Sequence, residues 1–208
     1  MFNIAIDSIL NFDFIYPLIA QFYQLQPDIE INIYEEVLGG TLDAIISGRA
    51  DLVIGAGDAL ALLDQGIHYH NIGQIEWLFA VAPDHELTKA PLPLTQTLIE
   101  QQRFVVARDS SRTQAPQSKR VFSKRPVLSV PSLTAKIQAQ CAGLGVGFLP
   151  AHQIKTQLAQ GVLIALPLAD SPTIDSLNMA WKTNNKGKVL SWFTSQLARY
   201  DFNRAREN

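Results

Sequence analysis

Four groupings in this 208-residue sequence have the residue types and spacing for chemistry. His68-Tyr69-His70 puts two imidazoles on one face of a strand, the beginning of a metal site, but no third ligand stands near it and a surface-facing pair is favoured. Cys141 and His152 have the types of a nucleophile and its base, yet helical spacing puts Cys141 on an apolar face, where a free thiol packs and stays inert. Ser110-Ser111-Arg112-Thr113 offers hydroxyls without a Gly-x-Ser-x-Gly elbow or evident His and acid partners. Such hydroxyls cap a helix or hydrogen-bond a ligand. Gly143-x-Gly145-x-Gly147 follows a helix and precedes a strand, the reverse of a dinucleotide fingerprint, and a helix C-cap accounts for its first two glycines. Asp7, Asp58 and Asp109 are too scattered to be given acid and base roles. The residues assign no catalytic group, no metal and no cofactor.

Two features point toward binding. Gly39-Gly40-Thr41 opens a helix directly after a strand, and Gly55-Ala56-Gly57-Asp58 closes the next strand. Glycines there either make a tight turn or let a ligand approach backbone N–H groups. Seven of the 17 Lys and Arg residues fall between Arg103 and Arg125, with Asp109 the only acid among them. A solvated face is the plain reading; the sharper one has Arg108 or Arg112 meeting an anionic ligand, a charge that helix N-termini at Ser132 and Thr41 also favour.

Composition bounds the rest. With 47% hydrophobic and 17% charged residues the chain is globular, large enough for one big or two small domains. Its longest apolar runs, such as Trp77 to Ala82, fall short of a membrane span, no export signal precedes Asn3, and a cytoplasmic location is the expectation. The single cysteine, Cys141, allows no internal disulfide. A net charge of −2 gives no whole-chain footprint for nucleic acid.

The elements that must position these residues alternate. Asn3 to Asp7 reads as a strand, Phe12 to Gln26 as a helix stopped by Pro27, Ile29 to Tyr34 as a period-two strand, Leu42 to Ile46 as a helix ended by Gly48, and Leu52 to Ile54 as a third strand. This β-α-β-α-β order implies parallel strands with ligands at their carboxyl ends: Asp7-Ser8-Ile9, Glu36 to Gly40, and Gly55 to Asp58. Strands at Ile67 to Asn71 and at Trp77 to Ala82 follow, then Phe104 to Ala107 and Val127 to Val130. A helix capped by Ser132 carries Leu133, Ile137, Cys141 and Leu144. Strands at Val146 to Leu149, Val162 to Leu166 and Leu177 to Trp181 lead to a last helix, Lys186 to Tyr200. The fold class is α/β in two units.

Taken in order, the strand to Ser8, the helix closing at Gln26-Pro27, Tyr34-Glu35-Glu36, Gly48-Arg49-Ala50-Asp51-Leu52-Val53-Ile54-Gly55, Ala82-Pro83-Asp84-His85-Glu86-Leu87 and Ala142-Gly143-Leu144-Gly145-Val146-Gly147-Phe148-Leu149-Pro150 resemble the effector-binding domain of LysR-type transcriptional regulators. The resemblance covers nearly the whole chain. It implies a type II periplasmic-binding-protein-like fold: two Rossmann-like lobes joined by two crossover strands, 1–82 with 178–208 in lobe I and 83–177 in lobe II.

The same resemblance implies a small-molecule effector, an anionic one included, in an interlobe cleft. Ser8, Ile9, Leu38, Gly39, Gly40 and Thr41 would form one wall; Ser110, Ser111 and Ser132, with Phe148 behind, would form the other. Many relatives carry Ser or Thr where Leu38-Gly39 stand, so Thr41 is expected to take over that contact. The implied function is ligand sensing, not catalysis, passed on through rearrangement of a homodimer or tetramer to DNA-binding modules, with no membrane partner. The family's winged helix-turn-helix is absent here, as in an excised regulatory domain. A transporter's solute-binding protein is the alternative on the same lobes.

Overall fold

The computed structural model describes residues 1–57, 66–169, 173–200 and 202. In chain order the elements are β1 (Phe2–Asp7), α1 (Ile15–Leu25), β2 (Ile31–Glu36), α2 (Gly40–Ile46), β3 (Leu52–Ala56), β4 (Ile67–Val81), α3 (Gln96–Glu100), β5 (Val105–Ala107), β6 (Leu128–Val130), α4 (Leu133–Cys141), β7 (Gly147–Pro150), α5 (Lys155–Ala159), β8 (Ile164–Ala165), β9 (Ile174–Lys182) and α6 (Lys188–Leu197). They fall into two compact units. The first holds Met1–Gln74, Asp109–Gln117 and Ser176–Asn208; the second holds Ile75–Arg108 and Ser118–Asp175. The chain leaves the first unit within β4, re-enters it at Asp109–Gln117, and returns to it finally within β9.

In the first unit β1 is central. Ile4, Ala5 and Ile6 are wholly buried, as expected of a parallel strand covered on both faces. β1 pairs in parallel with β2, from Phe2 opposite Ile31 to Asp7 opposite Glu36, and with β3, from Ile4 opposite Leu52 to Ile6 opposite Ile54. β3 pairs antiparallel with β9 across a bulge between Ile54 and Ala56. Gly55 lies in that bulge at φ +99°, and a Cβ on it would come within 2.7 Å of the Asp7 Cβ, so the strand-closing glycine serves close strand packing. Helices α1 and α6 share an aromatic core: the Phe193 ring lies 5.6 Å from Phe2 and 5.2 Å from Phe22. Such ring pairs add to the burial energy of the residues themselves.

In the second unit the end of β4 pairs antiparallel with β7, Trp77 to Ala80 against Pro150 to Gly147, and with β8 at Ala80 and Val81. β5 and β6 form a separate parallel pair. The core gathers Phe79, Leu94, Phe104, Val146 and Phe148.

Two expectations are corrected. The apolar runs at Ile67 to Asn71 and Trp77 to Ala82 are one continuous 15-residue strand, because the intervening Ile72-Gly73-Gln74-Ile75-Glu76 contains no proline to remove a ladder donor. The final helix is shorter than Lys186 to Tyr200. It starts after Gly187, whose N–H is taken by the Asn185 side chain, and ends at Leu197.

Candidate functional site

The sequence places its glycines where β1 and β2 end, and parallel register brings those ends side by side, Asp7 opposite Glu36. Beyond β1 the chain turns: the Ser8 N–H donates to the Glu36 carbonyl (2.8 Å) and the Ile9 N–H to Asp7 Oδ1 (3.0 Å). Beyond β2, Leu38 takes a left-handed conformation at φ +54°, uncommon for a branched apolar residue and a local strain. The Thr41 hydroxyl donates to the Leu38 carbonyl (3.1 Å) and closes that turn; Thr41 itself is 2% exposed. Its donor is spent on the chain, leaving only lone pairs for any other contact.

Three carboxylates then organise the surroundings. Arg49 donates to Glu36 (2.5 Å) and to Asp43 (2.9 Å). Asp43, fully buried on α2, also accepts the N–H groups of Arg112 (3.1 Å), Thr113 (2.9 Å) and Gln114 (3.1 Å) and the Thr113 hydroxyl. Burial alone pushes its pKa up, but the Thr113 hydroxyl, Arg49 and the Arg112 and Thr113 amides outweigh it and hold the carboxyl well below the usual range. Asp109 accepts from Gly39 N–H (3.0 Å), Ser111 N–H (2.7 Å) and Gln117 N–H (2.7 Å). Burial raises its pKa and the Ser111, Gln117 and Gly39 hydrogen bonds lower it further than burial raises it. Ser110 Oγ accepts the Val37 N–H (2.8 Å) and donates to Glu36 (2.5 Å).

These contacts answer the question raised by Gly39-Gly40. A Cβ on Gly40 would stand 1.8 Å from Ser110 Oγ, and one on Gly39 would stand 2.7 Å from both Asp109 Oδ2 and Ser111 Oγ. The groups that approach this backbone belong to the chain itself. Ser110 and Ser111, expected on the second lobe, are held in the first unit, because Glu36, Asp43 and the backbone around Gly39 supply the partners their segment needs.

Ser132 and Phe148 belong to the second unit. Ser132 Oγ accepts the Ala135 N–H (3.1 Å) and caps α4. Phe148, 1% exposed, packs edge-on to Phe79 at 5.4 Å and Phe122 at 6.2 Å, with the Arg120 guanidinium 5.6 Å from its ring centroid. Of the Arg103 to Arg125 cations, Arg120 pairs with Asp175 and Lys124 with Glu100.

The other chemistry-bearing residues disperse. His68 and His70 lie exposed on β4, the first with its ring 5.8 Å from Trp181, and among the described residues no group of three or more His, Cys, Asp or Glu is placed to hold a metal ion. Burial pushes the Cys141 thiol up, away from thiolate. Asp58 lies outside the described residues. Sequence reading missed Asp43, Arg49 and Asp109 as partners. The Gly48-Arg49-Ala50 segment signalled a helix end but not the pairing of Arg49 with Glu36 and Asp43, and nothing local signalled the bonds of Asp43 and Asp109 to residues some 70 positions away.

Comparison with known proteins adds the family context. Residues 1–201 match the family model described as "LysR substrate binding domain". The chain is 27% identical over 194 residues to two regulators of Escherichia coli K12, the uncharacterized HTH-type transcriptional regulator YeeY and the HTH-type transcriptional regulator PunR; each alignment covers 93% of this chain and 62% of the relative. The chain thus spans about three-fifths of the length of these relatives. Among solved structures it is similar to the regulatory domain of MetR from N. meningitidis, a LysR family regulator (TM-score 0.72, 20% identity, covering 95% of this chain and 92% of that one), and to the Synechocystis CcmR regulatory domain in complex with 2-PG (TM-score 0.71, 17% identity, 97% of each chain). Their type II periplasmic-binding-protein-like fold is the fold of this chain.

Proposed function

The chain belongs to the LysR substrate-binding-domain family, and on that premise we propose that it senses a small molecule on behalf of a LysR-type transcriptional regulator, with DNA contacted by a helix-turn-helix domain of the whole protein. The observation that carries this reading is the match of the family model over nearly the entire chain, residues 1–201. The local geometry supports a binding role. Strand ends Asp7-Ser8-Ile9 and Glu36 to Thr41 lie together at the carboxyl edge of a parallel pair, the edge at which α/β sheets take ligands. Its fixed hydrogen bonds offer orientation, and among the described residues the site gathers no nucleophile with a base to turn a ligand over.

An effector acts by binding two states of the domain unequally and thereby shifting how its copies assemble. The full protein works in the cytoplasm as a homo-oligomer. Ser8, Ile9 and Leu38 form the contact wall, and Gly39 to Thr41 with Ser110 and Ser111 hold it in place from behind.

A thermal-shift screen against amino acids, aromatic acids, purines, short dicarboxylates and sugar phosphates tests the reading. A ligand at about 100 times its Kd adds roughly 2.7 kcal/mol of stability. A hit that shifts the melting temperature of the wild type and loses affinity in Ser8→Ala supports the proposal. A screen with no hit, followed by an unchanged operator affinity of the full-length protein across the same library, defeats it.

A further inference from the structure

The second unit holds one buried and one half-buried polar side chain that packing alone does not account for. Lys136 and Gln140 stand four residues apart on α4, so both project from the same helix face, toward β7. The Lys136 ammonium donates to the Phe148 carbonyl (2.8 Å) and joins no ion pair among the described residues. Burial pulls its pKa down to about 8, so at neutral pH it still carries most of its charge. Gln140 has no exposed surface, and neither its Oε1 nor its Nε2 has a hydrogen-bond partner among the described residues. Gly147 makes room for the pair: a Cβ there would stand 3.0 Å from Gln140 Nε2, 3.3 Å from the Val105 carbonyl oxygen and 3.5 Å from Lys136 Cε.

An ammonium with one neutral acceptor and an amide with none both oppose folding. Leucine or isoleucine at these positions would be buried without that penalty, as Leu133 and Ile137 are on the same helix. A buried water can satisfy the amide, but it brings no negative charge to the ammonium. Polar groups that weaken a core in this way recur where a ligand completes them. Lys136 is half-buried as a residue, with its head group turned in to the Phe148 carbonyl.

We propose that Lys136 and Gln140 form an oxyanion-binding pair in the second unit, with the Lys136 ammonium supplying charge and Gln140 Nε2 a directed donor to a carboxylate or phosphate. This names the chemical class of the effector and rests on the sensing function proposed above. Lys136 is the charge reader, and Gln140 discriminates by geometry, its Oε1 left to accept from a hydroxyl or N–H beside the anionic group.

The test uses isotopically labelled protein titrated with sodium phosphate and, separately, sodium acetate, at ionic strength held constant with sodium chloride. The Gln140 side-chain amide and the Phe148 backbone amide are followed by NMR. Saturable shifts are expected, with affinity at least tenfold weaker in Lys136→Met, weaker in Gln140→Leu, and unchanged in Lys119→Met, which removes an equal charge from an exposed position. Linear, unsaturating shifts in the wild type, or equal affinity in wild type and Lys136→Met, overturn the proposal. If Lys136→Met fails to fold, Gln140→Leu carries the test, since its uncharged replacement suits the buried site. The two titrants separate a phosphorylated effector from a carboxylate one. Failure of the sensing function appears elsewhere, as a metabolite screen without a hit, and does not alter the phosphate titration.

Discussion

The carboxylate of Asp43 receives both the backbone N–H and the hydroxyl of Thr113, a residue 70 positions further along the chain. With Arg112, Gln114 and Arg49 added, one buried acid on a seven-residue helix anchors a segment that has no secondary structure of its own. Deep, multiply hydrogen-bonded carboxylates of this kind stabilise a fold only while every partner is present.

Asp43→Ala leaves the Nη2 of Arg49, the Thr113 hydroxyl and three backbone amides without their Asp43 acceptor, while Arg49 keeps Glu36. Breaking a buried charged network from one side costs roughly 3–5 kcal/mol, so the midpoint of urea unfolding should fall sharply. Hydrogen exchange at Arg112, Thr113 and Gln114 should quicken even under conditions where the domain stays folded.

Gly40→Ala drives a methyl group into Ser110 Oγ, 1.8 Å from the Cβ position. Overpacking of this order costs about 1–3 kcal/mol. Adding Ser110→Ala should recover part of that loss, so the double variant is more stable than the sum of the single changes, measured by a double-mutant cycle in denaturant. Additive losses would show that the clash is relieved by movement elsewhere.

Lys136→Met removes a buried charge that has one neutral hydrogen bond and no ion pair among the described residues. Its thermal midpoint should rise above that of the wild type at pH 7, the reverse of the usual effect of a buried substitution. Because burial lowers the pKa of this lysine to about 8, the wild type should itself gain stability as pH climbs from about 8 toward the ordinary lysine value of 10.5, and the variant should not.

His85 caps a short 3-10 helix by accepting the Leu87 N–H at Nδ1 (3.2 Å), which only the neutral ring can do. Burial lowers its pKa, against the opposing pull of Glu86 and Asp84. The folded state therefore prefers the neutral form: the contribution is complete above the ordinary value of 6.5 and is lost as pH falls through the lowered folded value. His85→Asn, which keeps a side-chain acceptor, should flatten the stability profile just below pH 6.5 in chemical denaturation.

Much of the first unit was legible because alternation and helical spacing are local signals. Ile31 and Ile33 on β2 and Phe22 on α1 announce their elements within a few residues. The end of α4 was harder. Helical spacing assigned Leu144 to the buried face, yet it is 54% exposed, because Gly143 at φ +71° turns the chain out of the helix before Leu144 is reached. Gln140 and Lys136 look like ordinary surface residues of a helix, and only the tertiary position of β7 buries them. The placement of Ser110 and Ser111 was illegible for a related reason: the partners of Ser110, Glu36 and Val37, are more than 70 positions away, and hydroxyl-rich loops carry no signal of which surface they will meet.

The division of the chain also sets an order of assembly on the ribosome. The first unit is built from three stretches, and its strand β9 and the Phe193 of α6 come from the final one, whereas the last residue of the second unit is Asp175. Strands β1, β2 and β3 are therefore synthesised before β9 and α6, the partners that complete their unit, while the second unit is complete once Asp175 has been added. Within this domain the unit that begins first is completed last, and the apolar strands Phe2–Asp7 and Leu52–Ala56 are the surfaces that wait longest for their cover.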